Sequence, residues 1–223
     1  MTDDSTAGDD EQRAPTGTST GRMEAFSDGV FAIAITLLVL ELSPGRSGSA
    51  LGRIVDAWPS YLAYLVSFAT IGAAWLAHSA LTDRLVKADS ILLRINLLLL
   101  LLVSFVPYPT RLVAESLHDG AAERVNVGLY GIVLLLLRVV IHALNDYADR
   151  EGLTAAARAA TNATTDRIGV IVAAYAAAVL VGIAFPGVAV GLYCVFAFAL
   201  LVPLGELRKS FTPRTGDQPP PPE

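Results

Sequence analysis

The chain has 223 residues, of which 53% are hydrophobic and 17% charged, with a formal net charge of −5. A soluble domain of this length would carry more charge and interrupt its apolar runs more often, and the modest acidic balance gives no basic footprint for a nucleic-acid partner. The single cysteine, Cys194, lies in an apolar stretch, cannot form an intrachain disulfide and reads as an inert buried thiol.

Residues 1–21 are dominated by Ser, Thr, Gly and Asp. They contain no apolar leader segment and read as a disordered terminus. Six apolar runs follow, at residues 23–42, 58–81, 90–110, 124–144, 166–185 and 187–207. A bilayer core of ~30 Å needs about 20 apolar residues in helix. Backbone groups find no water there, so each run is predicted as a transmembrane helix. The fold class is therefore an all-α integral membrane protein, with six spans in one domain over residues 22–209. Pro107 and Pro109 should bend or end span 3. Pro186-Gly187 should turn the last two spans into a tight hairpin. The polar, alanine-rich stretch 145–165 would extend spans 4 and 5 beyond the bilayer. Residues 210–223, with four consecutive prolines, read as a second disordered tail.

Orientation follows the basic residues flanking the spans. Arg46, Arg53, Arg111 and Arg124 fall on one side and Arg138 lies within span 4, while the other eleven of the sixteen fall on the side of the termini. Both termini are therefore expected to be cytoplasmic.

Span 1 carries the most information. It begins Arg22-Met-Glu-Ala-Phe26-Ser27-Asp28. An ionised Asp in a membrane helix is costly and needs a partner or water. Asp28 lies about 7 Å in from Met23. His78, near the end of antiparallel span 2, sits at similar depth, and Arg22 is close to that level. An Arg22–Asp28–His78 cluster tying span 1 to span 2 is one reading; the bland one is that each side chain snorkels to the interface. Further along, Gly29, Ile33, Thr36 and Leu40 recur at helical spacing on one face. Such a stripe is more often a packing surface than a pore. As a pore lining it would present an apolar constriction of the kind that gates by dewetting.

The run Arg22-x-x-x-Phe26-Ser27-Asp28 resembles the signature of the transmembrane-protein-175 family, the lysosomal potassium channels and their bacterial relatives. Trp75-x-x-His78 near the end of span 2, and Asn96 through Ser104-Phe-Val-Pro107-Tyr-Pro109 in span 3, extend the resemblance in order. Spans 4 to 6 match by hydropathy alone. The resemblance implies a six-helix subunit whose pore is lined by span 1, with no Thr-Val-Gly-Tyr-Gly filter. It puts the narrow point at Ile33 and a selectivity role at Thr36, with Gly29 and Leu40 also lining the pore. It joins Ser27 and Trp75 to Arg22, Asp28 and His78 in the polar network between spans 1 and 2. One copy of the motif implies the single-repeat bacterial form, a homotetramer in the inner membrane that conducts potassium passively and needs no cofactor. Ser79 stands where members often carry a second His.

Glu41, near the outer end of span 1, could in four copies attract cations to the mouth, or be an ordinary interfacial carboxylate. Arg138 is expected to snorkel, since no spaced arginine series accompanies it. Gly187-x-x-x-Gly191 is a weak packing motif, and Asn162-Ala-Thr164 a chance sequon. The rival functions are a proton-conducting channel or proton-coupled transporter, an intramembrane enzyme and a non-conducting scaffold. Neither His-Glu-x-x-His nor Gly-x-Ser-x-Gly occurs. The scattered histidines 78, 118 and 142 make a metal site improbable.

Overall fold

The computed structural model describes residues 20–45, 48–116, 123–155, 173–181 and 184–201. The segments 1–19 and 202–223, the sequon, His118 and residues 166–172 and 182–183 of span 5 lie outside the described residues. α1 (Thr20–Leu37) begins inside the segment expected to be disordered, and tightens into a 3-10 turn at Leu38–Glu41. The backbone then turns extended at Leu42, and Pro44 disfavours a return to helix at Ser43, the residue before it. α2 (Ala50–Asp56) is a short helix that the hydrophobic pattern did not announce. Ser49 caps it, accepting from the Gly52 N–H at 3.0 Å, and its Leu51, Ile54 and Val55 are exposed. α3 (Trp58–Thr82) is uninterrupted.

Span 3, which Pro107 and Pro109 are expected to bend or end, is two helices, α4 (Ser90–Phe105) and α5 (Pro107–Ser116). Pro107 has no N–H, and its ring would collide with the carbonyl of Val103. That carbonyl instead accepts from Val106 N at 3.3 Å, a tighter turn. Thr110 Oγ1 donates to Val106 O at 2.8 Å, and Ser67 Oγ lies 2.7 Å from Thr110 Oγ1 and 2.8 Å from the Tyr130 hydroxyl. Three buried hydroxyls thus bond one another beside the break, where hydrocarbon could not solvate them.

α6 (Glu123–Arg150) continues past the apolar run that ends at 144, in line with the expected extension of span 4 into the polar stretch that follows. It stops at Gly152, whose φ of 63° is left-handed. Gly152 N donates to Asp149 O and Leu153 N to Ala148 O, the paired bonds of a Schellman stop. Val86 N then donates to Leu153 O at 2.9 Å and Ala155 N to Arg84 O at 3.0 Å, stitching the α3–α4 loop to the end of α6. Residues 173–181 form α7, and α8 is Pro186–Leu201. Proline at a first helical position loses only an N–H that would be unpaired anyway, so the Pro186-Gly187 turn opens α8 instead of merely separating it from α7.

Four stretches are long and apolar enough to cross a bilayer, Thr20–Glu41, Trp58–Thr82, Ser90–Ser116 and Glu123–Arg150. Spans 5 and 6 are described only in part. α1 packs on α3 and α4, α4 on α6, α5 on α3 and α6, and α8 on α3 and α6. One apolar cluster holds Phe31, Leu38, Ile71, Leu81, Leu99 and Leu137, and a second joins Val66, Leu134, Tyr175 and Tyr193. Lipid tails are as apolar as leucine, so helices gain little from burying such groups alone. Close approach matters more, and Ala69, Ala73, Ala74 and Gly131 provide it along α3 and α6.

Candidate functional site

α1 has two faces. Met23, Ser27, Phe31, Ala34 and Leu38, at steps of four, four, three and four, are buried against α3 and α4. Gly29, Ile33, Thr36 and Leu40 are all exposed on the single subunit, Ile33 by 61% and Leu40 by 74%. Thr36 Oγ1 donates to Ile33 O at 2.8 Å, so its proton is used inside the helix and its lone pairs face outward.

The polar residues of α1 are held by two separate bridges, in place of the single Arg22–Asp28–His78 cluster. Asp28 Oδ1 accepts from the Trp75 indole N–H at 2.9 Å. His78 Nε2 lies 2.9 Å from Asn96 Oδ1, Asn96 Nδ2 donates to Ser27 Oγ at 3.0 Å, and Ser27 Oγ donates to Met23 O at 2.8 Å. Read by donors, the chain runs from His78 through Asn96 and Ser27 to the α1 backbone, which fixes the His78 proton on Nε2. The Phe31 ring covers His78, with ring centroids 5.6 Å apart. Arg22 is exposed, and none of the ion pairs among the described residues includes it. The cluster does not form as one unit: Asp28 and His78 each take a neutral partner, and Arg22 lies exposed. Trp75 and Asn96 supply geometry that pairwise charge matching overlooked.

Asn96 is the residue to which the sequence reading assigned no role. The available signal was a lone amide ahead of six consecutive leucines. An amide at such a place in a membrane helix bonds across helices. Glu41 lines a surface recess with Leu37, Ser104, Tyr108, Arg111 and Glu115. Arg111 Nε already donates to Glu115 Oε1 at 2.8 Å there, so Glu41 shares its surroundings with a paired cation.

The family model described as "Endosomal/lysosomal potassium channel TMEM175" matches residues 22–107. A protein of Streptomyces collinus named as a potassium channel is 42% identical over 138 residues, 59% of this chain and 66% of that protein, so the chain spans about two thirds of it. A Chryseobacterium protein, also named as a potassium channel, is 32% identical over 192 residues, 85% of this chain and 96% of its own length. A Danio rerio relative, named as an endosomal/lysosomal proton channel, is 31% identical over 146 residues, 59% of this chain and 28% of that protein. Among solved structures, that of a lysosomal potassium-selective channel TMEM175 homologue from Chamaesiphon minutus matches with a TM-score of 0.70 at 36% identity, covering 82% of this chain and 96% of that one. With the Arg22-to-Asp28 motif anchored as described and a bacterial relative matched over nearly its whole length, the chain belongs to the TMEM175 family, a family of multi-pass membrane channels and not of enzymes.

Proposed function

We propose that this protein conducts potassium passively through a homotetrameric pore in a bacterial inner membrane, with α1 nearest the axis and both termini cytoplasmic. The observation that carries this reading is the bare face of α1. One helix per subunit encloses nothing, so several copies are needed, and cyclic symmetry is the ordinary solution. Ile33 is ten residues past Met23, about 15 Å deep and near the middle of a ~30 Å core. Four copies would form an apolar ring, with Thr36 oxygens one turn further out and Gly29 one turn further in. Ser27, His78 and Asn96 set the tilt of α1 from the buried side, and Asp28 with Trp75 ties it at the exposed edge. The bacterial relatives named as potassium channels support the choice of ion.

The test is flux in liposomes under a potassium gradient at equal protein density. Ile33→Asn replaces an apolar wall with an amide that bonds water, which lowers a dewetting barrier. Potassium leak should rise and discrimination against sodium should weaken. Thr36→Ala should lower discrimination without a leak. Unchanged or reduced flux in Ile33→Asn, with tetramer content intact, removes the constriction from Ile33. A second reading is proton conduction, favoured by the name of the Danio rerio relative and by Asp28 and His78 near one end of the bundle. A pH dye in the same liposomes separates the two.

A further inference from the structure

Arg138, expected to snorkel, is 8% exposed on the inner face of α6. Its guanidinium carbon stands 5.9 Å from the centre of the Tyr175 ring on α7. Its Nε and Nη2 are buried with no hydrogen-bond acceptor. Among the described residues no carboxylate lies in ion-pair range of it; the ion pairs there are Arg84–Asp149, Arg111–Glu115 and Arg150–Asp146. A buried Lys or Glu can shed its charge by titrating, but a guanidinium keeps its proton in a protein. An unpaired buried cation is among the costliest groups a fold can hold, and here none of the described residues supplies a counter-charge.

The groups beside it point the same way. The Tyr175 hydroxyl is buried and has no partner. His142, one turn along the same stripe of α6, has a buried Nδ1 without a partner. Tyr175 stands against the guanidinium as a cation–π contact, which leaves the buried N–H edge without an acceptor. A fixed cation beside an unpartnered hydroxyl and an unpartnered imidazole nitrogen, with no anionic group in range among the described residues, has the complementary chemistry of an oxyanion. Two orphaned N–H groups on one planar fork suit two oxygens of one phosphate better than a spherical halide. The depth agrees. Arg138 is seven residues, about 10 Å, before the polar run that opens at Asn145, and His142, partly exposed, lies between.

We propose that Arg138, with Tyr175 and His142, binds a phosphate oxyanion, either the phosphodiester of a membrane lipid or free phosphate, between α6 and α7. The site is remote from α1, and its test does not depend on conduction. The full chain, purified in a neutral detergent and stripped of lipid, is titrated with dioctanoyl phosphatidylglycerol. In a separate arm it is titrated with inorganic phosphate against chloride at matched ionic strength. The thermal unfolding midpoint is read in both. The wild-type midpoint should rise, and the rise should be absent in Arg138→Met, whatever that variant's own starting midpoint. Tyr175→Phe should need about fivefold more ligand for half the effect, the equivalent of one neutral hydrogen bond. A rise with phosphatidylglycerol alone assigns the lipid as source; a rise with inorganic phosphate assigns the free anion. No response of the wild type to either, or equal responses of wild type and Arg138→Met, overturns the proposal. Should Arg138→Met not fold, Tyr175→Phe decides, and an unchanged half-saturation overturns it.

Discussion

Asn96→Leu tests the anchoring of α1 directly. Leucine has the same branching and number of side-chain heavy atoms as asparagine but bulkier tips, so the change leaves no cavity, and its cost is chiefly polar with a smaller part from overpacking. The amide makes two side-chain bonds, at 2.9 Å with His78 and 3.0 Å with Ser27. His78 is 1% exposed and its Nδ1 has no partner, so the variant strands the whole imidazole, at about 1–3 kcal/mol. Ser27 keeps its own donation to Met23 O, so its loss is nearer the ~1 kcal/mol of one ordinary bond. The sum is about 2–4 kcal/mol, and the lower end applies if side chains find other partners when helices separate within lipid. Trp75→Phe is the comparison. It breaks one bond, between an exposed Asp28 and an indole that is 39% exposed, and should cost no more than about 1 kcal/mol. Reversible unfolding of both variants in mixed micelles, under one denaturant series, gives the two differences. If Asn96→Leu is no more destabilised than Trp75→Phe, the buried chain does not hold α1 in place and the argument for a fixed pore-side face loses its basis.

Gly131→Ala should lower stability by about 1–3 kcal/mol by overpacking, because the added carbon would overlap the Tyr193 hydroxyl and lie 2.9 Å from Val179 Cγ2; Gly128→Ala, with nothing within 4 Å, should be neutral or slightly stabilising in the same unfolding assay. Asp89 caps α4 through the Ile91 and Leu92 N–H groups, and the Tyr147 hydroxyl at 2.6 Å, followed by those N–H groups, holds its carboxyl below the usual range. A depressed folded pKa contributes stability above the unfolded value of ~3.9 that is lost as pH falls through the folded one. Asp89→Asn should therefore be less stable than wild type near neutrality by a small, salt-sensitive amount, and the gap should close in acid; a gap independent of pH between about 6 and 3 refutes the assignment.

The spans were legible because bilayer thickness imposes length and apolarity together. Trp58–Thr82 differs from its sequence reading by a single residue at one end. What hydropathy missed depends on single hydrogen bonds. The early stop of α4 needs one missing N–H at Pro107. The extension of α6 to Arg150 ends in polar turns that a hydropathy window scores as loop, and only Gly152 marks its end. α2 is seven residues with a Ser49 cap, too short for a periodic signal. Within the site, depth alone brought Asp28 and His78 to one level but could not say which neighbour each would take. That choice lay with Trp75, whose indole N–H donates to Asp28, and Asn96, whose amide oxygen accepts from His78; both are neutral and reach in at lower desolvation cost than Arg22 would. Arg138 shows the same limit in reverse. Its position in span 4 was plain, but whether it would snorkel or turn inward depended on Tyr175, on a helix far along the chain.

The composition of the bare faces bears on what they meet. α4 shows outward Leu97, Leu98, Leu101 and Phe105, large flexible side chains suited to fluid acyl tails. The bare stripe of α1 is built differently, with a glycine, a β-branched Ile33 and a hydroxyl. Glycine in a helix interior costs about 1 kcal/mol relative to alanine, and nothing inside the subunit explains Gly29, since an added carbon there would meet no atom within 4 Å. Thr36 gains nothing from lipid either, because its oxygen, after donating to Ile33, retains lone pairs that hydrocarbon cannot satisfy. Both residues suit a neighbour outside the subunit that is either very close or polar. In the proposed assembly a second copy of α1 would be the first and a hydrated cation path the second, and a ring of copies around an axis would provide both at once.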